Sequence, residues 1–226
     1  MENNNFFDRC FEAHSFYELN NIDYDLLNYS VNLYKETYKH ISPPIFFDVG
    51  CNAGSFVKAL NDNGYVNNIH CFEPHPKLSD VVKENYPQVI MNKICLTDNI
   101  GTIDINIPLW SVGLSSVINR PIFDTLKSRG QEITKLNVKT NTIDNYCIEN
   151  NIEHIDFIKI DVEGAEKMVL DGANDMLKNN LIKMGLFEVG STLEDANTNE
   201  NEICSMLENY GYKINKNIAC NYLFYI

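Results

Sequence analysis

Positive charge, paired cysteines, long apolar runs and phosphate-binding glycine clusters are all scarce in this chain, and each shortage removes a class of function. No eighteen uncharged apolar residues run together, so no membrane-spanning helix is expected. The first residues, MENNNFFDRCFEAH, have neither a basic start nor an apolar core of the secretory kind, which makes the expected location cytoplasmic. Only 18 Lys and Arg stand against 31 Asp and Glu, a formal charge of −13. Such a surface repels phosphate backbones and argues against nucleic acid as a partner. The seven cysteines, Cys10, Cys51, Cys71, Cys95, Cys147, Cys204 and Cys220, are odd in number and include no C-x-x-C pair. That is the usage of a reduced chain, not of a disulfide framework. No Pro/Gly/Ser-rich linker divides the 226 residues, so a single domain over 1–226 with a proper core is expected.

What is present is an alternation. After apolar positions at helical spacing in residues 6–40 and a break at ISPP, short apolar runs alternate with helical patterns: IFFDV, SFVKALNDN, NIHCFE, HPKLSDVVKENY, QVIMNKICL. This rhythm predicts βαβ units on a parallel sheet. It resumes with TIDNYCIEN, IDFIKIDV, AEKMVLDGANDMLKN, KMGLFEV and NENEICSMLENYG, then ends in YKINKN and CNYLFYI, which suit an antiparallel hairpin at the sheet edge. The expected fold is α/β: a Rossmann-like, doubly wound, mostly parallel seven-stranded sheet with a helical N-terminal extension over 1–44. Residues 101–140 interrupt the rhythm with two strand-like ends around a loop or short helix. They are expected to be an inserted lid or substrate segment.

FFDVGCNAGSF, residues 46–56, runs from a strand into an acid and two glycines four apart. A dinucleotide fingerprint would place a glycine where Asn52 stands, so that a pyrophosphate could sit on the helix start. The spacing D-x-G-x-x-x-G instead suits S-adenosylmethionine, whose carboxylate can meet helix-start amides and whose ammonium can approach Asp48. The same pair of glycines also serves as a plain tight turn. Glu73, in CFEPHP at the end of the next strand, lies about 20 residues further on, the offset at which an acid accepts ribose hydroxyls.

HIDFIKIDVEGAEKMVLDGA closely resembles the hallmark of the FkbM-type methyltransferases, and FFDVGCNAGSF, CFEPHP, TNTIDNY, FIKIDVEGAE and GLFEV follow in that family's order over roughly residues 45–190. The resemblance implies an S-adenosylmethionine-dependent O-methyltransferase acting on a hydroxyl of a sugar, glycan or nucleotide-linked sugar. It also implies the cofactor contacts: Asp48, Gly50, Asn52 and Gly54, with Ser55, around the methionine end; Glu73 and Pro74 at the ribose; Asp161 at the reactive end. Two alternatives stay open, an O- or N-methyltransferase of a lipid or small natural product and a catalytically silent module that binds the cofactor.

Methyl transfer to a hydroxyl gains from a general base. The candidates are Asp161, Glu163 and Glu188, at the ends of the fourth and fifth strands. Lys159 shares a strand face with Asp161 because side chains alternate, and a structural ion pair is its plain reading. These acids could take Mg²⁺, yet no ligand spacing is specific enough to require it, so no metal is expected. Arg120, Lys127, Arg129, Lys135 and Lys139 face only Asp124 and Glu132 within residues 120–139. With Trp110, Ser115 and Ser116, Arg120 is expected to receive an acceptor carrying an anionic group. Whether the protein is a monomer or homodimer stays open.

Overall fold

A computed structural model describes residues 21, 23–38, 43–218 and 220–226. The expectations placed on residues 1–20, 22, 39–42 and 219 lie outside it. Of the N-terminal extension it describes helix α1 (Tyr24–Thr37), and the chain then enters β1 (Phe46–Val49), α2 (Ser55–Asp62), β2 (Ile69–Phe72), α3 (Pro76–Asn85) and β3 (Ile90–Asn92). Next come β4 (Cys95–Leu96), β5 (Gly101–Pro108), α4 (Ile122–Ser128), β6 (Ile133–Asn141) and α5 (Ile143–Glu149). The remainder is β7 (Ile155–Ile160), α6 (Glu166–Asp171), α7 (Asn174–Lys178), β8 (Ile182–Glu188), α8 (Ser191–Asp195), α9 (Glu200–Asn209), β9 (Lys213–Ile218) and β10 (Asn221–Tyr225).

Seven strands form the main sheet in the order β3-β2-β1-β7-β8-β10-β9. The pairs joining β3, β2, β1, β7 and β8 are parallel, whereas β10 pairs antiparallel with both β8 and β9. The terminal hairpin thus extends the sheet with its second strand innermost. Every residue of β1, β2 and β7 is buried, as strands covered on both faces must be. Alternate residues feed opposite layers. Phe46 and Phe157 pack with Leu27, Val31 and Tyr34 of α1 and Phe56 and Leu60 of α2. Phe47 and Ile158 pack with Tyr146 of α5, Val169 of α6 and Leu207 of α9. Each large side chain so buried contributes roughly 1.5–3 kcal/mol.

Two expected elements are divided. QVIMNKICL splits into β3 on the main sheet and β4, which joins β6 and β5 in a separate three-stranded sheet. That sheet has its own apolar cluster of Ile105, Ile107, Leu109, Val112 and Val138 against Ala53 and Leu78, and Cys95 packs on it while Leu96 stays with the main core. AEKMVLDGANDMLKN breaks at Gly172: a Cβ there would lie 2.0 Å from the Thr97 carbonyl oxygen, and the Gly172 carbonyl accepts from Asp144 N at 3.0 Å. The helix yields to that close backbone approach. Residues 101–140 are strand, 3₁₀ turn (Val112–Leu114), helix and strand, with β5 and β6 antiparallel.

Candidate active site

Chain order reverses between β1 and β7, one leading to β2 and β3 and the other to β8. Ligands bind at such a switch point, outside the carboxyl ends of the strands. A cavity of about 510 Å³ opens there. Gly50, Asn52, Glu73, Pro74, Asp161, Glu163 and Glu188 line it, joined by Trp110, Ser115 and Ser116 of the inserted segment and by Asp23 at the start of α1.

The turn after β1 keeps the backbone in unusual conformations, with φ of 75° at Gly50, 47° at Asn52 and 83° at Gly54. Only glycine serves at position 50, because a Cβ would sit 1.9 Å from the Asp161 carbonyl oxygen. Glu73 is fixed from below: one carboxylate oxygen accepts Asn52 N at 2.9 Å and the other accepts His75 N at 2.8 Å. Each oxygen retains capacity for a further donor. Burial pushes the Glu73 carboxyl up to about 7 against the pull of those two amides.

Strand register explains the charges beneath. Asp48 on β1 stands directly beside Lys159 on β7, and the Lys159 ammonium reaches the Gly50 carbonyl at 2.7 Å, Asp161 at 3.3 Å and Asp48 at 3.5 Å. Burial opposes the Lys159 charge, but Asp161 and Asp48 outweigh it and hold the ammonium protonated. Asp48 is fully buried, neither of its oxygens has a hydrogen-bond partner among the described residues, and burial lifts it to about 6. Its neighbours Val49 and Gly50 line the cavity, and Asp48 itself does not. Ser55 lines a small neighbouring chamber, shared with Asp23, Asn52, Lys159, Asp161 and Glu188, and Gly54 is the N-cap of α2.

The loop after β7 carries the remaining acids. Glu163 has φ of 56° and forms an ion pair with Arg120, whose Nε also meets Asp195 at 3.2 Å. Burial, then Asp161, raises the Glu163 carboxyl, while Arg120 pulls it down. Glu188 is pushed up to about 8, first by burial and then by Asp161, Glu163 and Glu166, and its Oε2 has no hydrogen-bond partner among the described residues. Oxygens of Asp161, Glu163 and Glu188 approach within 4.8 Å of one another. Since Lys159 matches Asp161 and Arg120 matches Glu163, Glu188 alone of the three has no paired cation among the described residues.

Arg120 sits differently from the expectation. It is 7 % exposed and turned onto Glu163 and Asp195, so it presents no charge to an anionic acceptor. Ser116 Oγ donates to the Glu163 carbonyl at 2.7 Å, and Ser115 Oγ to the Val112 carbonyl at 2.6 Å. Both hydroxyls brace backbone. Trp110 is half exposed at the rim. Sequence reasoning passed over Asp23 and Glu166. Nothing local marks Asp23, whereas Glu166 stood within the quoted motif: its carboxylate accepts Val162 N and Gly164 N, each at 3.0 Å, and shapes the acid-bearing loop from inside.

A family model described as the methyltransferase FkbM domain matches residues 48–214. The chain belongs to this family. The FkbM domain here is 28% identical over 144 residues to the 2-O-methyltransferase NoeI of Sinorhizobium fredii, a match spanning 59% of this chain and 59% of that protein. Among solved structures it resembles a TehB-like SAM-dependent methyltransferase from Corynebacterium glutamicum (TM-score 0.41, 11% identity, 86% of this chain and 83% of that one). It also resembles a SAM-dependent methyltransferase from Leishmania major (TM-score 0.43, 9% identity, 90% of this chain and 72% of that one). No described helix is long and apolar enough to cross a membrane.

Proposed function

We propose that the chain is an S-adenosylmethionine-dependent O-methyltransferase of a sugar or glycan hydroxyl, with residues 1–226 forming one catalytic domain and the inserted sheet bounding the acceptor. The observation that carries this reading is that the Gly50 turn and Glu73, bonded to each other through Asn52 N, line one cavity. The turn is seated directly on the loop after β7, where a Cβ at Gly50 would strike the Asp161 carbonyl, and a carboxylate is pinned by two amides with room for further donors. These residues fit S-adenosylmethionine: Glu73 would hold the ribose hydroxyls with Pro74 beside it, and Gly50, Asn52, Gly54 and Ser55 would cradle the methionine end. The Asn52 Oδ1, buried and unpartnered among the described residues, is an acceptor suited to the ammonium. Asp161 would lie at the reactive end, and Asp48 with Lys159 would support the turn from beneath.

Bound S-adenosylmethionine supplies a methyl group on a positively charged sulfur, open to in-line displacement by an oriented oxygen. Glu188 would accept the hydroxyl proton, a step typically worth 10²–10⁴-fold. A raised carboxyl suits that task near neutral pH. The lining contains Asp23, Glu73, Asp161, Glu163 and Glu188 and, among the described residues, no Lys, Arg or His. That favours an uncharged hydroxyl over a phosphorylated or nucleotide-linked one, and the 2-O-methyltransferase name of the relative supports oxygen as the acceptor atom.

Calorimetry with S-adenosylhomocysteine and with NAD⁺ tests the cofactor: heat with the first and none with the second is expected, and the reverse overturns the reading. Transfer of labelled methyl to free, polymeric and nucleotide-linked sugars tests the acceptor. Turnover confined to nucleotide-linked sugars would overturn the neutral-acceptor preference.

A further inference from the structure

The strained loop after β7 is gripped by a segment that comes from elsewhere in the chain. Within residues 116–120 the inserted segment sends two side chains to Glu163, Ser116 to its carbonyl and Arg120 to its carboxylate. Ser116 Oγ is itself fixed by Ile118 N at 3.0 Å. A left-handed backbone at a residue other than glycine persists only where its surroundings over-determine it, and here they do. Beside Glu163, Gly164 presses on α8 so closely that a Cβ would lie 2.5 Å from the Thr192 carbonyl oxygen. At the end of the same helix Asp195 takes the Arg120 Nε at 3.2 Å. Glu166 secures the neighbouring amides from the inner side.

We propose that Arg120 is a positioning residue that acts through Glu163: by clamping Glu163 and Asp195 together it keeps Glu163 out of the reaction and leaves Glu188 as the carboxylate free to take the acceptor proton. The inference rests on the reading of Glu188 as the base. Its ground is the pairing within the acid trio. Lys159 serves Asp161 and Asp48, Arg120 serves Glu163 and Asp195, and Glu188 has neither a cation nor a hydrogen bond at Oε2 among the described residues. The groups around Glu188 are Asp161 and Glu163 on the loop, Glu166 on α6 and Lys159 on β7, which all act on its charge. Asp23 at the start of α1 lines the same cavity, and Asn221 stands opposite on β10. Without Arg120 a second unmatched carboxylate would stand beside Glu188, compete for the proton and make Glu188 harder to ionise.

The test follows the Glu188 carboxyl directly, by ¹³C NMR pH titration of the full chain labelled at glutamate carboxyls, its signal assigned with Glu188→Gln. Arg120→Gln moves the Glu188 midpoint upward by about 1, Glu163→Gln moves it downward by a similar amount, and Arg120→Lys returns it towards the parent value. Glu163→Gln keeps the shape of the clamp and so covers the case in which Arg120→Gln fails to fold. A merely structural Arg120 lowers stability and leaves the midpoint where it was; a Glu188 midpoint unmoved in Glu163→Gln overturns the inference. The base reading fails separately, if Glu188→Gln still transfers methyl at the parent rate while the midpoint shifts in the other variants stand.

Discussion

At the scale of single residues, two glycines separate conformational need from steric need. Gly50 and Gly64 both have positive φ, 75° and 89°, but an added Cβ meets the Asp161 carbonyl at 1.9 Å in the first and nothing within 4 Å in the second. Gly64→Ala should therefore cost only the left-handed penalty of about 1–2 kcal/mol and leave S-adenosylhomocysteine binding intact. Gly50→Ala must also push the β7 loop away, and should lower calorimetric affinity at least about 10-fold, beyond the 1–3 kcal/mol usual for overpacking. Equal effects of the two substitutions would remove the cradle. Glu73→Gln replaces one acceptor oxygen by an amide donor facing Asn52 N or His75 N, which leaves a buried donor unmatched at about 1–3 kcal/mol. Its expected signature is a similar loss of affinity with little change in fold by circular dichroism. Asp48, Gly50 and Glu73 could be singled out together because one strand-turn spacing and one offset name them, whereas Asn52 and Asp161 were added by the family resemblance. The inward turn of Arg120 was not legible, since its partners Glu163 and Asp195 are 43 and 75 residues away.

Among the elements, the loop between β7 and α6 matters most to the site, and one side chain shapes it. Glu166 is fully buried, and burial lifts its carboxyl to about 7 against the pull of the Val162 amide. Glu166→Ala leaves the amides of Val162 and Gly164 without their acceptor, at about 1–3 kcal/mol each, so urea unfolding should show a loss of roughly 2–5 kcal/mol. A loss under about 1 kcal/mol would mean that the loop holds its shape by other means. Strands β1, β2, β7 and β8 were readable from the sequence because each is a short, mostly apolar run, as strands covered on both faces are, with only one or two polar residues in each. The break at Gly172 and the parting of β3 from β4 were not. A helical pattern with one glycine and an apolar run with one lysine look continuous until another backbone or another sheet lies beside them.

For the whole molecule, the buried acids set a pH dependence of definite sign. Asp48 is raised to about 6, Glu73 and Glu166 to about 7 and Glu188 to about 8, each mainly by burial. Their ordinary values are 3.8 for Asp and 4.5 for Glu, so between about pH 4 and 8 these four groups bind more protons in the native state than in the unfolded chain, while His70 and His75, lowered by burial to about 4, bind fewer below about 6.5 and offset part of this. The stability the four acids contribute is full below their ordinary values and is lost as pH rises through the raised ones. Asp156, lowered by Lys183 and the Ile45 amide against burial, acts in the opposite sense but only as pH falls towards its ordinary 3.8. The formal charge of −13 adds self-repulsion in the same direction as the raised acids. The ligand-free protein should melt lower at pH 8 than at pH 5.5, by about 2–4 °C for each kcal/mol lost; a flat or rising Tm across that range would contradict the burial of these acids. The sequence by itself determined the layered α/β architecture, the glycine turn after β1 and the acids at the strand ends, because periodicity, glycine spacing and strand-end position are local properties written along the chain. Only the tertiary structure decided which acids hold cations, where Arg120 points and which carboxylate stays free. Ion pairing depends on distance in space, and residues far apart in sequence are set against each other only once the inserted sheet and the loop after β7 have packed together.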